Sequence, residues 1–328
     1  MKKKILIIGS NSFSAGSLIK ILLKKNYKII GISRSKLNDN RFLPYRKTNK
    51  NYIFRRLDIN KDIKKIILII KKNRPSHIIN YASQSMVGES WINPVDWYRT
   101  NSYSMIKFLN EISKLKFNFK LIQISTPEMY GNIKKITSEN ENYNPTTPYA
   151  ASRVTADHFL KLLYKQNKIN YVLVRPSNVY GECQRLYRIV PRTIYSILKQ
   201  RKLNLHGGGF SKRNYIHIDD VSEGIYKLMF KGKNGNCYHI SSNRLISIRE
   251  IVKKICKKMN YKFDDLVKIS AARRGTDAYY FLSSAKIKKE LKWKQKILID
   301  EGIEKSIEWV KNNLRYFSKK DLSYIHKK

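Results

Sequence analysis

Four residues between positions 126 and 153 have the types and the spacing of an acid–base site. Thr126 and Glu128 directly follow a short apolar run that is typical of a buried strand. Tyr149 follows a proline, which is typical of a first helical turn, and Arg153 lies four residues further on, on the same helix face. A hydroxyl, a carboxylate, a phenol and a cation brought together in this way could transfer protons.

These groups must be positioned by a sheet, because strand-like apolar runs alternate with helical patterns over residues 1–175. In an open parallel sheet, ligands bind at the carboxyl ends of the strands. After residue 175, the sequence is rich in turn-forming residues. The sequence therefore predicts an α/β protein with a Rossmann-type doubly wound parallel sheet and a smaller, discontinuous C-terminal α/β region. We expect residues 1–175, with 214–242 returning to them, to bind cofactor, and residues 176–213 and 243–328 to bind substrate.

The first apolar run ends at Gly9 and leads through a short loop into a helical pattern, which is the unit that holds dinucleotide phosphates. Ser12 and Ala15 occupy the later glycine positions of the usual motif, but both are small enough for close backbone approach. Taken alone, the loop is equally compatible with an ordinary strand–helix turn. The cofactor contacts that we expect here are Gly9, Asn11, Ser12, Phe13 and Ser14.

The second strand pattern lacks the terminal acid that usually holds the ribose hydroxyls of NAD. Arg34 stands there between two serines, which suits a 2′-phosphate, so we favour NADP over NAD; the alternative is a surface arginine. The other cofactor contacts that we expect are Asp58, Ile59, Tyr81, Ala82 and Ser83.

The formal net charge of +43 has two interpretations. It could indicate binding to nucleic acid or to a membrane surface. We favour a general basic drift, because lysines are spread along the whole chain and no nucleic-acid motif is present. We therefore expect no specific nucleic-acid partner and no membrane partner, although a positive field would attract an anionic substrate.

Compartment and metal binding can also be predicted. No apolar run reaches the length of a membrane span, and the N-terminal apolar run is too short for a signal peptide. The three cysteines are far apart, which suits a reducing cytoplasm and forms no metal-binding spacing. We expect a cytoplasmic protein without a metal site.

In combination, the motifs resemble the extended short-chain dehydrogenase/reductase superfamily and, within it, the nucleotide-sugar 4,6-dehydratases. The resemblance is first to the dTDP-glucose enzymes and next to the GDP-mannose enzymes, and it covers almost the whole chain. The motifs that carry it are the loop at Gly9, residues 80–83, 125–128, 149–153, 175–181, 213–220 and 273–277.

This resemblance implies a lyase that uses tightly bound NAD(P) to convert an NDP-hexose into the NDP-4-keto-6-deoxyhexose. Tyr149 would accept the proton of the 4-hydroxyl while C4 gives its hydride to the nicotinamide, and Thr126 would hydrogen-bond O4. Glu128 would remove the C5 proton, water would leave from C6, and the hydride would return to C6. The phenol needs a lowered pKa, and Arg153 is the nearby cation that we expect to supply it.

The resemblance also implies cofactor contacts from Tyr149 and Arg153, and a homodimer formed through helices at about 94–115 and 149–165. The implied substrate contacts are Gln84, Ser85, Asn178, Arg213 and Arg273.

The chain departs from the family pattern at several positions. Arg153 stands where the superfamily has lysine. Pro127 stands where the glucose enzymes have a proton-donating aspartate, so either Glu128 or a water returns the proton to the leaving hydroxyl, or the elimination differs from that of the family. The alternatives left open are a nucleotide-sugar 4-epimerase or reductase, which needs no base for C5, and a non-catalytic dinucleotide- or RNA-binding protein.

Overall fold

The structure is a computed structural model that describes residues 3–45, 47–133, 135–271 and 279–327. The strands are β1 (Lys4–Ile8), β2 (Lys28–Ser33), β3 (Tyr52–Arg56), β4 (His77–Asn80), β5 (Lys120–Ile124), β6 (Ile136–Thr137), β7 (Asn170–Pro176), β8 (Asn178–Tyr180), β9 (Leu203–His206), β10 (Lys212–His217), β11 (Asn236–Ile240), β12 (Leu245–Ser247), β13 (Val267–Ser270) and β14 (Tyr279–Leu282). The α-helices are α1 (Phe13–Lys24), α2 (Ile63–Asn73), α3 (Val87–Ile92), α4 (Pro94–Tyr98), α5 (Met105–Ile112), α6 (Pro148–Lys165), α7 (Ile189–Leu198), α8 (Ile218–Lys231), α9 (Ile248–Lys258), α10 (Phe263–Leu266), α11 (Ala285–Leu291) and α12 (Ile299–Asn313).

A seven-stranded parallel sheet lies at the centre, in the order β11-β7-β5-β4-β1-β2-β3. After Lys4, β1 consists of isoleucine and leucine residues that are buried, as expected for a parallel strand that is covered on both faces. The strand order reverses between β1 and β4, which opens a crevice at their carboxyl ends. The predicted doubly wound α/β fold is confirmed.

Helices cover both faces of this sheet. Apolar residues of α1 and α8 form one core layer, and those of α2, α5 and α6 form the other. Both layers use branched aliphatic side chains that recur at helical spacing, which is the pattern that buries one helix face against a sheet.

A smaller region is built mainly from the chain after β7. β10 pairs with β12, β14 and β8, and β14 also pairs with β6. β13 and β9 form a separate pair. α7, α9 and α12 contribute a third core, while β11 returns to the edge of the main sheet beside β7.

The helix predicted from position 94 to 115 is interrupted. A π-helical turn over Arg99–Ser104 joins α4 to α5. Such a turn contains an extra residue and shifts the helix face. The helical pattern from Pro94 to Leu115 also predicts that Tyr98 faces inward, and this prediction is wrong: Tyr98 is 43% exposed, and Trp97 is buried instead. Within the described ranges, no helix is both long enough and apolar enough to span a membrane.

Candidate active site

The end of β5 positions the first two predicted catalytic residues. Thr126 is extended and caps a 3-10 turn over Pro127–Tyr130, with proline at the first position. The Thr126 hydroxyl accepts a hydrogen bond from the backbone N–H of Glu128 at 3.3 Å and donates one to Glu128 Oε2 at 3.2 Å. The turn thus holds the carboxylate beside the hydroxyl.

The start of α6 brings the phenol and the cation to the same place. Thr147 caps the helix by accepting a hydrogen bond from the Ala150 N–H at 3.1 Å. Tyr149 in the first turn is buried, and its phenol makes a hydrogen bond with Thr126. Arg153, also buried, donates to the carbonyl of Ile124, the last residue of β5. The structure therefore brings all four predicted residues together.

Burial raises the pKa of the Tyr149 phenol, and this effect outweighs the others. The Arg153 charge and the hydrogen bond with Thr126 lower the pKa, as we expected, but the Glu128 charge raises it further. The expectation of a lowered pKa is therefore wrong for the protein alone, because desolvation disfavours the phenolate more strongly than one cation favours it.

A buried polar network supports the end of β5 from behind. The hydroxyl of Ser125 donates to Asp157 Oδ2 at 2.5 Å, and Arg175 Nη2 lies 3.5 Å from the same oxygen. The side chains of Asp157 and Arg175 are both inaccessible to solvent. Such a pair is costly to break because the partner left behind would be a buried charge. Sequence reasoning missed the network because nothing in the spacing connects the three positions.

The first loop has the geometry of a dinucleotide cradle. Gly9 has a φ of +76°, and a Cβ there would lie 2.6 Å from the backbone nitrogen of Ala82. Only glycine therefore fits between this loop and the loop after β4. Ser12 caps α1 by accepting a hydrogen bond from the Ala15 N–H at 3.2 Å, and half-buried Phe13 and Ser14 begin the helix. A helix N-terminus beside a glycine loop suits a pyrophosphate.

The loop after β2 forms one wall of the crevice. The Asn11 carboxamide donates to the carbonyls of Ser35 and Lys36 at 3.2 and 2.8 Å, so it holds this loop against the first one. Arg34 lines a cavity of about 590 Å³ together with Arg56 and Asp58.

The end of β3 completes this wall. Asp58 is half-buried, and its Oδ1 accepts a hydrogen bond from the Asn60 N–H at 2.9 Å. Ile59 next to it is buried. The carboxylate therefore shapes its own loop and also lines the cavity beside Arg34.

The loop after β4 contains the remaining predicted cofactor contacts and two of the predicted substrate contacts, Gln84 and Ser85. Asn101 accepts from the Gln84 N–H at 2.8 Å and donates to the Gln84 carbonyl at 2.9 Å, so it fixes the backbone of the loop. Tyr81 is buried, Ser83 is half-buried and Ser85 is exposed. The Gln84 carboxamide is bonded by residues near the C-terminus of the chain.

On the substrate side, Tyr280 of β14 joins two predicted residues. Its hydroxyl donates to Asn178 Oδ1, and the Arg213 guanidinium lies over its ring at 4.7 Å from the centroid. Sequence reasoning did not single out Tyr280. The predicted contact Arg273 lies outside the described residues.

Arg188 was also missed. It is exposed immediately before α7, in a turn-rich segment without a motif. Burial raises the pKa of both Tyr149 and Tyr215, and the Arg188 charge acts against this rise at both phenols. The Arg188 charge therefore acts on both Tyr149 and Tyr215.

A glycine cradle at the crevice of an open parallel sheet, next to a threonine, glutamate, tyrosine and arginine cluster, defines a dinucleotide-binding α/β enzyme of the extended short-chain dehydrogenase/reductase class. The family model described as GDP-mannose 4,6 dehydratase matches residues 6–306. The chain belongs to this family.

Similar proteins span nearly the whole chain. Human dTDP-D-glucose 4,6-dehydratase is 30% identical over 95% of this chain and 91% of its own length. The crystal structure of dTDP-glucose 4,6-dehydratase from Bacillus anthracis in complex with NAD has a TM-score of 0.87 at 25% identity and covers 98% of this chain and 100% of that one. UDP-glucose 4-epimerase from Thermotoga maritima shares the fold with a TM-score of 0.86 at 24% identity, covering 95% of this chain and 99% of its own. The fold is thus common to both activities, and residues at the site must distinguish them.

Proposed function

We propose that this chain is an NAD(P)-dependent nucleotide-sugar 4,6-dehydratase, which converts an NDP-hexose into the NDP-4-keto-6-deoxyhexose and water. The observation that carries the proposal is Glu128, held 3.2 Å from the Thr126 hydroxyl in the same cluster as Tyr149. Removal of a proton from C5 requires such a base, whereas exchange of configuration at C4 does not. The similarity to human dTDP-D-glucose 4,6-dehydratase supports the same activity.

The proposed reaction assigns a task to each polar group. Tyr149 accepts the 4-hydroxyl proton, Thr126 hydrogen-bonds O4, and the resulting 4-keto group acidifies the C5 proton, which Glu128 accepts. A bound oxidised dinucleotide supplies the acceptor for the C4 hydride, which ends at C6. Pro127 has no proton to give, so we assign protonation of the leaving 6-hydroxyl to Glu128 as well. The sugar then loses one water, and C5 regains a proton from solvent.

We further propose that the cofactor is NADP. Arg34 lines the cavity at the end of β2, and Arg56 Nε donates to its carbonyl at 3.2 Å, so two cations meet where a 2′-phosphate would lie. Arg34→Ala should raise the ratio of the Kd for NADP⁺ to the Kd for NAD⁺ at least about tenfold, because only NADP⁺ has the 2′-phosphate. Arg55→Ala, which removes an exposed neighbouring arginine, is the matched control. An equal effect on both dinucleotides would contradict the proposal.

For the substrate, we propose that Asn178, Arg213 and Arg273 contact the nucleotide sugar, together with Gln84 and Ser85. Residues 176–213 and 243–328 would form the substrate-binding part, and residues 1–175 with 214–242 the cofactor-binding part. The high positive charge supports capture of a diphosphate anion.

We propose a homodimer that forms through α4, the π-turn, α5 and α6. Large apolar side chains are exposed on this side, and they are Trp91, Ile92, Val95, Tyr98, Tyr103 and Leu162. Val95→Lys should shift the protein to monomers in sedimentation experiments, and an unchanged mass would contradict this interface.

The free thiols of Cys183, Cys237 and Cys256 support a cytoplasmic setting.

Product analysis tests the central proposal. The purified protein should convert at least one of dTDP-glucose, GDP-mannose, UDP-GlcNAc and CDP-glucose into a product that is lighter by one water and absorbs in alkali as a 4-keto sugar. A product of unchanged mass would indicate an epimerase, and the absence of product from all four would contradict the proposal.

A further inference from the structure

The chain continues from α12 back to the crevice of the main sheet. Phe317 is buried, with its ring centroid 5.4 Å from Trp309 and 5.9 Å from Phe42, which anchors the chain just after α12. A short turn over Lys319–Leu322 follows. The C-terminal tail, defined here as residues 323–327, then extends across the region where the dinucleotide would bind.

The tail bridges the two walls of the crevice. The backbone carbonyl of Lys327 accepts a hydrogen bond from Arg34 Nη1 at 3.0 Å and another from Gln84 Nε2 at 2.7 Å. Arg34 follows β2 and Gln84 follows β4, and in the sheet β1 lies between these two strands. The carbonyl therefore joins the loops that follow the two strands on either side of β1, the strand that leads into the glycine cradle.

Side chains of the tail use further polar groups of the crevice. The hydroxyl of Tyr324 donates to Gln84 Oε1 at 3.2 Å, so both polar atoms of this buried carboxamide are bonded to the tail. The Lys327 ammonium donates to Ser35 Oγ at 2.6 Å. The tail thus bonds to the same loops that we propose for the cofactor and the substrate.

An outer contact holds the tail in this position. His326 Nε2 lies 2.8 Å from Asp96 Oδ2, and the imidazole stacks on Trp97 with 5.2 Å between ring centroids and an angle of 16° between the planes. Ile325, between two docked residues, is 66% exposed. The docked and exposed positions therefore alternate along the tail.

We propose that the C-terminal tail is an autoinhibitory segment that competes with the dinucleotide for the crevice; this inference rests on the proposed NAD(P)-dependent function. An Arg34 N–H that donates to the Lys327 carbonyl is not available to a 2′-phosphate, and the tail connects the loop after β2 to the loop after β4. Dinucleotide binding then requires the tail to leave. The apparent affinity is reduced by the fraction of molecules in which the crevice is open.

The test measures the Kd for NADP⁺ by calorimetry on full-length protein from which copurified dinucleotide has been removed. Tyr324→Phe removes the hydrogen bond to Gln84 but keeps the aromatic ring beside Tyr187, and it should lower the Kd up to about fivefold, the effect of one ordinary hydrogen bond on an equilibrium constant. His326→Ala should lower the Kd at least as much, because both the contact with Asp96 and the ring stack on Trp97 are lost. Ile325→Ala is the matched control and should leave the Kd unchanged.

A second measurement needs no substitution. Hydrogen exchange of residues 323–327 in the unmodified protein should become faster when NADP⁺ is added. Equal Kd values for the unmodified protein and its three variants would overturn the inference and leave the proposed function intact. A higher Kd in Tyr324→Phe and His326→Ala would also overturn it, because the tail would then retain the cofactor. If no dinucleotide binds to any of the proteins, both proposals fail.

Discussion

Replacement of Arg153 by methionine tests how the phenol of Tyr149 is activated. The Arg153 guanidinium is buried, donates to the Ile124 carbonyl, and its charge lowers the pKa of Tyr149 against the rise that burial causes. Methionine keeps an unbranched side chain of similar reach but removes the charge. The pKa of Tyr149 should therefore rise further.

The size of the effect follows from the buried setting of the pair. An opposite charge at close range lowers a pKa by about one to three units. Below its pKa, the phenolate fraction falls tenfold for each unit by which the pKa is raised. At neutral pH, kcat/KM should therefore fall about 10- to 1,000-fold, which corresponds to about 1.4 to 4 kcal/mol of transition-state stabilisation.

The assay is the pH dependence of kcat/KM. Activity needs the phenolate and rises with pH, so a higher pKa moves the acidic limb of the profile to higher pH. Arg153→Lys retains the charge and should leave the limb close to its original position, although the planar contact with Ile124 is lost. Lys165→Met, which removes an exposed cation from the same helix, should change nothing. A lower rate with an unmoved limb in Arg153→Met would refute an electrostatic role.

Three further predictions concern the base, the histidines and the cradle. Glu128→Gln should lower kcat about 10²- to 10⁴-fold, while oxidation at C4 should still be detected by the absorbance of the reduced nicotinamide. Glu141→Gln, which changes an exposed glutamate, is the control. Equal rates for both variants would contradict the role of Glu128 as the base. Burial lowers the pKa of His77 to about 4 and of His239 to about 3, so the unfolded chain binds more protons than the folded protein below about pH 6.5. The free energy of unfolding, measured in urea, should therefore fall by up to about 1.4 kcal/mol per histidine for each pH unit from about pH 6.5 down to about pH 4. A free energy of unfolding that does not change with pH in this range would contradict the prediction. Gly9→Ala should abolish dinucleotide binding in calorimetry, because its Cβ would lie 2.6 Å from a backbone nitrogen; an unchanged Kd would contradict the cradle.

The sequence predicts those parts of the site that depend on local rules. An apolar run followed by Thr126 and Glu128 indicates a strand end, and a proline before Tyr149 indicates a helix start. Because parallel strands all end at the same edge of a sheet, these two local predictions are enough to bring the residues together. The fold class follows from the same alternation of strands and helices.

Features that depend on three-dimensional packing are not visible in the sequence. Tyr98 was predicted on the wrong face because the π-helical turn over Arg99–Ser104 shifts the register. The direction of the Tyr149 pKa shift depends on burial, which no spacing rule reports. The docked position of Tyr324 depends on a partner 240 positions earlier in the chain and on no regular pattern.

The most direct test of the proposed dehydration follows a deuterium label from C4. When a nucleotide sugar that carries deuterium at C4 is converted in ordinary water, the 4-keto-6-deoxy product should retain this deuterium in its C6 methyl group. When unlabelled sugar is converted in deuterated water, one deuterium should enter at C5, because C5 regains its proton from solvent after the elimination. A product of unchanged mass that keeps its deuterium at C4 with inverted configuration would contradict the account.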